Sequence, residues 1–228
     1  MKLSHTFSKK QCLLGLILMA LDLFVFPFLL KAGNQALGQP LNLTQLNFTL
    51  FVVNFLLVTA LFWRFLVNNL KIAMKNAKQF FARAGLGFLL YYGGAMVVAA
   101  LILRIQPDYA NVNDQAIGVL TGSSYPMMLI GTVFLVPAAE EMIYRGLLFS
   151  GLQHRNRILA YAVSAGVFSL VHLLNYITVA PALTLFLGFL QYLPAGIAFC
   201  WAYEQTDSIF APILIHTVIN LISMLALR

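Results

Sequence analysis

Seven apolar runs, near residues 11–30, 47–67, 84–103, 125–150, 157–178, 181–203 and 208–227, constrain this chain more than any other feature. Each is long enough to cross ~30 Å of hydrocarbon as a helix. The runs are continuous rather than alternating, so they do not suit a β-barrel. In lipid the backbone must satisfy its own hydrogen bonds, which leaves helices. The sequence therefore predicts an all-α, polytopic bundle of about seven transmembrane helices. Composition agrees: 9% of residues are charged, where a soluble domain carries about a quarter. The bilayer itself is thus a partner. A net charge of +7 on a soluble domain would suit nucleic acid, but this hydrophobicity excludes that partner. Cys12 and Cys200 are too few for a disulfide framework and read as small core residues. Lys2, Lys9 and Lys10 precede the first run as in a signal peptide. That run is long and no small-residue cleavage site follows closely, so it reads as a retained helix.

Charge orients the bundle. With the N-terminus inside, Lys2, Lys9, Lys10, Lys71, Lys75, Lys78, Arg83, Arg155 and Arg157 fall in cytoplasmic segments. Only Lys31, Arg104 and Arg228 fall outside, so the expected orientation is N-in, C-out. The loop Glu204–Asp207 is expected inside although it holds no basic residue. The basic stretch Leu70–Arg83 has two readings: an amphipathic helix on the anionic inner leaflet or a solvated linker. Asn42-Leu43-Thr44 and Asn47-Phe48-Thr49 are formal glycosylation sequons, relevant only in a eukaryotic secretory protein. Short loops and compact size point instead to a bacterial plasma membrane.

Several polar side chains lie inside these runs. Glu140, Glu141 and Arg145 sit in the fourth, His172 in the fifth, His216 and Asn220 in the seventh. Ionisable groups at membrane depth need partners or water. At 1.5 Å per residue, Glu140, His172 and His216 fall about 20, 22 and 14 Å from the cytoplasmic face, so they can converge. Glu141 and Arg145, four apart, can pair on one helix face. Glu140 is turned about 100° away. His216 and Asn220, also four apart, can address one object. Phe168 lies one turn before His172 and can wall a pocket. Pro137 would free the carbonyl of Val133 and bend its helix. A buried glutamate can serve as general base to a water, an imidazole can hold that water, and a second imidazole with an amide can serve an oxyanion. Those are the parts of an amide hydrolysis without a covalent intermediate, in a wet pocket open to the cytoplasm. Set against this, histidine and asparagine in membranes often only join helices. Asp22, Asn54 and Gln191 read as packing residues.

Three segments resemble a known family. Glu140-Glu141-Met142-Ile143-Tyr144-Arg145-Gly146 is similar to the EExxxR motif of the CAAX-protease and bacteriocin-processing (CPBP, Abi) intramembrane proteases. Phe168-Ser169-Leu170-Val171-His172 is similar to the FxxxH motif of that family, and His216-Thr217-Val218-Ile219-Asn220 to its HxxxN motif. The resemblance runs from about Tyr125 to the C-terminus, and divides the chain into N-terminal helices with a basic cytoplasmic loop (1–120) and a protease core (121–228). It implies Glu140 as base, His172 as water holder, and His216 with Asn220 at the oxyanion. Glu141, Arg145 and Phe168 support them. No cofactor is required by this reading. HExxH is absent, so any zinc would draw on separate helices, through Glu140, His172 and His216. The expected function is an intramembrane endopeptidase acting on membrane-associated peptides or proteins, in bacteriocin maturation or self-immunity. The alternative is a non-catalytic immunity or scaffold protein that binds a bacteriocin or membrane partner. A transporter fits less well, because no interrupted helices recur in matching halves.

Overall fold

The computed structural model describes Leu3, Ser4 and residues 6–228; Lys2, counted above among the cytoplasmic cations, lies outside the described residues. Those residues form eight helices and no strand. They are α1 (Lys9–Ala36), α2 (Leu43–Lys75), α3 (Ala77–Ile105), α4 (Val112–Ser123), α5 (Tyr125–Gln153), α6 (Arg157–Val171), α7 (Ala182–Thr206) and α8 (Phe210–Ala226). All seven apolar runs are helical. Five of the helices, α1, α2, α3, α5 and α7, are long and apolar enough to cross a membrane. The remaining two apolar helices, α6 and α8, have 15 and 17 residues. The eighth, α4, was not expected, because its first turn is polar. Asn111 starts it by accepting from the N–H groups of Asn113 (2.8 Å) and Asp114 (3.3 Å).

Local chemistry sets the other boundaries. Ser8 and Gln11 form a reciprocal capping box at the start of α1. Asn42 and Gln45 do the same for α2, with bonds of 3.0 and 2.9 Å. The first sequon asparagine is therefore a helix cap. The basic stretch Leu70–Arg83 is neither a helix lying apart on the surface nor a linker. It is the end of α2 and the start of α3, separated at Asn76, whose side chain caps α3. Both helices exceed the ~20 residues that span hydrocarbon, so the lysines ride on their overhanging ends.

Two helices contain wide, π-type turns. In α1 this is Leu21–Val25; in α5 it is Gly131–Leu135 and again Met142–Phe149. The first two each come just before a proline, Pro27 and Pro137. Such turns are frequent at functional sites.

Helix α7 packs closest to α3 and α6. At Gly196 an added Cβ would lie 2.7 Å from Ala165 Cβ and 2.8 Å from its Cα, so the missing side chain lets α6 and α7 meet backbone to backbone. Polar contacts gather several turns at one end of the bundle. Glu204 accepts from Arg157 (2.7 and 2.8 Å), Tyr161 (2.8 Å) and Gln153 (3.1 Å). Asp207 accepts from the Ser4 backbone (2.8 Å), and Arg83 bonds Gln205. The acidic loop thus meets the charge of Arg157, which explains how it does without a basic residue of its own.

Candidate active site

The acids lie on a short α-helical piece of α5, Val136–Glu141, between its two wide segments. Glu141 faces the interior. Its Oε1 accepts from Arg145 Nη1 at 3.0 Å, and both side chains are fully buried. The guanidinium lies over the rings of Phe168 (4.4 Å) and Phe199 (4.9 Å), and Nη2 donates to the Gly196 carbonyl at 3.3 Å. The expected pair is therefore present, and aromatic faces and a helix carbonyl complete its solvation.

Glu141 does more than hold Arg145. The same oxygen meets His216 Nδ1 at 2.9 Å, linking α5 to α8. A carboxylate only accepts, so Nδ1 carries the proton and the other ring nitrogen points away. That nitrogen, Nε2, lies 4.0 Å from Glu140 Oε2. Glu140, with a side chain 19% exposed, is the more open of the two acids. Its Oε2 has no hydrogen-bond partner among the described residues. One water 2.8 Å from both Nε2 and Oε2 would subtend about 90°, an angle a bridging water can adopt.

Asn220 departs from the expectation. Its amide does not turn with His216 to a shared object; Nδ2 donates to the Thr132 carbonyl at 2.8 Å. The reason lies in the wide turn. Val136 N–H bonds the carbonyl of Gly131, five residues back. In that register the donor for Thr132 is Pro137, which has no N–H. The carbonyl left over by Pro137 is thus that of Thr132 rather than Val133, and Asn220 fills it.

His172 ends α6. Its Nδ1 donates to the Phe168 carbonyl at 2.7 Å, leaving Nε2 as the acceptor. Phe168 stands between the imidazoles, with ring centroids 4.6 Å from His172 and 5.9 Å from His216. The other face of His172 stacks on Tyr192 at 4.3 Å. Tyr192 bonds Asn113 (3.0 Å) and Asp114 (3.3 Å) of α4, and Asn111 donates to Gln191 at 2.9 Å. Burial pushes the Asp114 carboxyl up, and the Tyr192 hydrogen bond opposes that. This polar layer behind His172 was not foreseen; the only signal for it was the unusual Gln191-Tyr192 pair. The ligand set a metal would use, Glu140, His172 and His216, does not come together. Among the described residues no three His, Cys, Asp or Glu side chains are grouped to hold an ion.

A cavity of about 200 Å³ opens beside Glu140, walled by α1, α2, α5 and the end of α6. Asp22 and Asn54 line it together with Tyr144 and Asn175. Asn54 Nδ2 donates to Asp22 Oδ2 at 3.1 Å. The expected helix-joining bond is there, but it sits on the wall of the cavity that Glu140 faces.

A family model described as type II CAAX prenyl endopeptidase, Rce1-like, matches residues 122–222. No curated protein and no solved structure matches the chain. The matched segment carries Glu140, Glu141, Arg145, Phe168, His172, His216 and Asn220, whereas Asp22 and Asn54 lie outside it.

Proposed function

Residues 122–222 are of the Rce1-like endopeptidase family, and from that premise we propose that the protein is an intramembrane endopeptidase driven by a water that Glu140 activates. It acts on membrane-associated peptides or proteins. The observation that carries the reading is the chain Glu140, His216, Glu141, in which one acid faces a cavity and the other holds the imidazole between them.

The chemistry follows from those atoms. Glu140 takes a proton from the water as its oxygen attacks the scissile carbonyl carbon. His216 Nε2 stands within reach, directly or through a bridging water, so the proton passes to the ring. The imidazolium is stabilised by Glu141 at Nδ1, as a buried carboxylate orients and supports a catalytic histidine. From Nε2 it donates to the oxyanion and then to the departing amine nitrogen as the C–N bond breaks. His172, with Nε2 free to accept, is the second water holder. Asn220 keeps one amide hydrogen on Thr132 and has the other for the oxyanion.

We also infer seven crossings with the N-terminus inside, counting α6 and α8, whose ends are completed by polar turns. The end that gathers Ser4, Arg83, Arg157 and Glu204 is then cytoplasmic. The assigned setting is a bacterial plasma membrane, where such an enzyme matures small membrane-active peptides or protects its cell from them. Bacteria lack prenylated CAAX proteins of their own, so the family description does not extend to that substrate here.

The test is membrane proteomics of cells carrying wild type or Glu140→Gln. Uncleaved precursors accumulate with the variant, and cleavage by purified protein falls roughly a thousandfold or more. Undiminished cleavage by a well-folded Glu140→Gln protein would sink the mechanism. Protection from a bacteriocin that survives both Glu140→Gln and His172→Ala would favour a binding role instead.

A further inference from the structure

The unmatched N-terminal helices supply one wall of the cavity beside Glu140, and that wall carries a charge. Asp22 lies about halfway along α1, thirteen residues or ~20 Å in from Lys9, and Glu140 lies as far in from Gln153. Both carboxyl groups line the same space, and so do the amides of Asn47, Asn54 and Asn175. No Lys, Arg or His is among the lining residues. The only described hydrogen bond to the Asp22 side chain comes from Asn54, a neutral amide, and it reaches Oδ2 alone. Glu140 Oε2 likewise has no hydrogen-bond partner. Two acids therefore share a polar cavity at membrane depth without a counter-charge. Charged groups at that depth pair with each other or with what passes through.

We propose that Asp22, held by Asn54, is a specificity residue that selects substrates with a cationic side chain, Lys or Arg, near the scissile bond. The cation arrives with the peptide and settles against Asp22 Oδ1. This aligns the neighbouring carbonyl with the water on Glu140. Asp22 takes no part in the bond-breaking, and the N-terminal helices then choose what the matched region cuts. The inference rests on the endopeptidase reading for the word substrate, but its binding component does not.

Two measurements on the full chain in detergent micelles separate the two claims. First, the Glu140→Gln protein, which leaves Asp22 as the cavity's acid, is titrated with fluorescent apolar peptides that differ only in Lys against norleucine at one site. The Lys peptide should bind on the order of tenfold tighter. Adding Asp22→Asn, which can still bond Asn54, should bring the ratio close to one. Asp22→Ser, a second neutral variant, should do the same if Asn distorts α1. Second, with Glu140 intact, Asp22→Asn should lower the Lys-over-norleucine ratio of kcat/KM by the same factor. Equal binding of both peptides, or a preference that survives both Asp22 variants, overturns the inference even if cleavage is robust. A preference that depends on Asp22 in a protein that cuts nothing overturns the endopeptidase reading and leaves Asp22 as a cation-selecting residue.

Discussion

The two halves of the molecule use the same apolar alphabet differently. In α1, α2 and α3 only 11%, 17% and 11% of the apolar stretch is buried, against 56% in α5 and 39% in α7. The first three helices turn most of their side chains outward, with Phe24, Phe28, Trp63 and Met96 all at least 60% exposed. The matched half is packed like a protein interior. Arg145, Tyr203 and Phe199 are almost entirely buried there. The lesson is that dense packing follows the chemistry. An ion pair and two imidazoles must be held at fixed distances, whereas a wall that meets substrate and lipid needs only shape.

Charge should break the comparison most sharply. Arg145→Met strands Glu141 beside His216 and should cost about 3–5 kcal/mol, read as a large loss of thermal stability in detergent. Arg104→Met, at an exposed site on α3, should leave the melting curve almost unchanged. An equal loss from both would show that the N-terminal helices are as tightly coupled as the core. Glycines give the next contrast. Gly196→Ala forces α6 and α7 apart and should cost about 1–3 kcal/mol, while Gly93→Ala meets open space and should be neutral or gain up to about 1 kcal/mol of helix propensity.

A double substitution sharpens the picture inside α5. Asn220→Ala leaves the Thr132 carbonyl without its donor and should lower kcat and cost about 1–3 kcal/mol. Pro137→Ala restores a backbone N–H at the missing position. If Asn220 serves mainly to satisfy that carbonyl, the pair of changes should recover stability and much of kcat. No recovery of kcat with full recovery of stability would assign the activity loss to the oxyanion. The smallest effect concerns Asp114. Its carboxyl is raised by burial, so the folded protein favours the neutral form. The stability this gives is complete below the ordinary aspartate value of 3.8 and is lost as pH rises through the raised one. Asp114→Asn should therefore melt slightly higher than wild type at neutral pH, and the gap should close as pH falls toward 4.

Much of this was legible because its causes are local. Every long apolar run became a helix, since lipid offers the backbone no alternative. The Glu141–Arg145 pair follows from four-residue spacing. What was not legible depends on where helices meet. Spacing puts Asn220 beside His216 on α8, but only the wide turn of α5 says which acceptor the amide finds. Asp22 and Asn54 read as packing, and they do bond each other, but nothing in α1 or α2 announces that Glu140 looks onto the same space. Helix α4 was missed because Asn111, Asn113 and Asp114 resemble a loop until their caps and the Tyr192 bonds are seen.

The wide turns of α5 also bear on how such a chain can change over generations. A π-type turn holds one residue more than the α-helical turn it replaces. Removing a single residue from Gly131–Leu135 would return that turn to α geometry and swing everything beyond it about 100° around the helix axis. The piece Val136–Glu141 has such a turn on either side. Its two acids can therefore be re-aimed by one-residue deletions or insertions that leave their identities intact. Length differences of one residue in this helix would mark a change of what the acids face more faithfully than any substitution beside them.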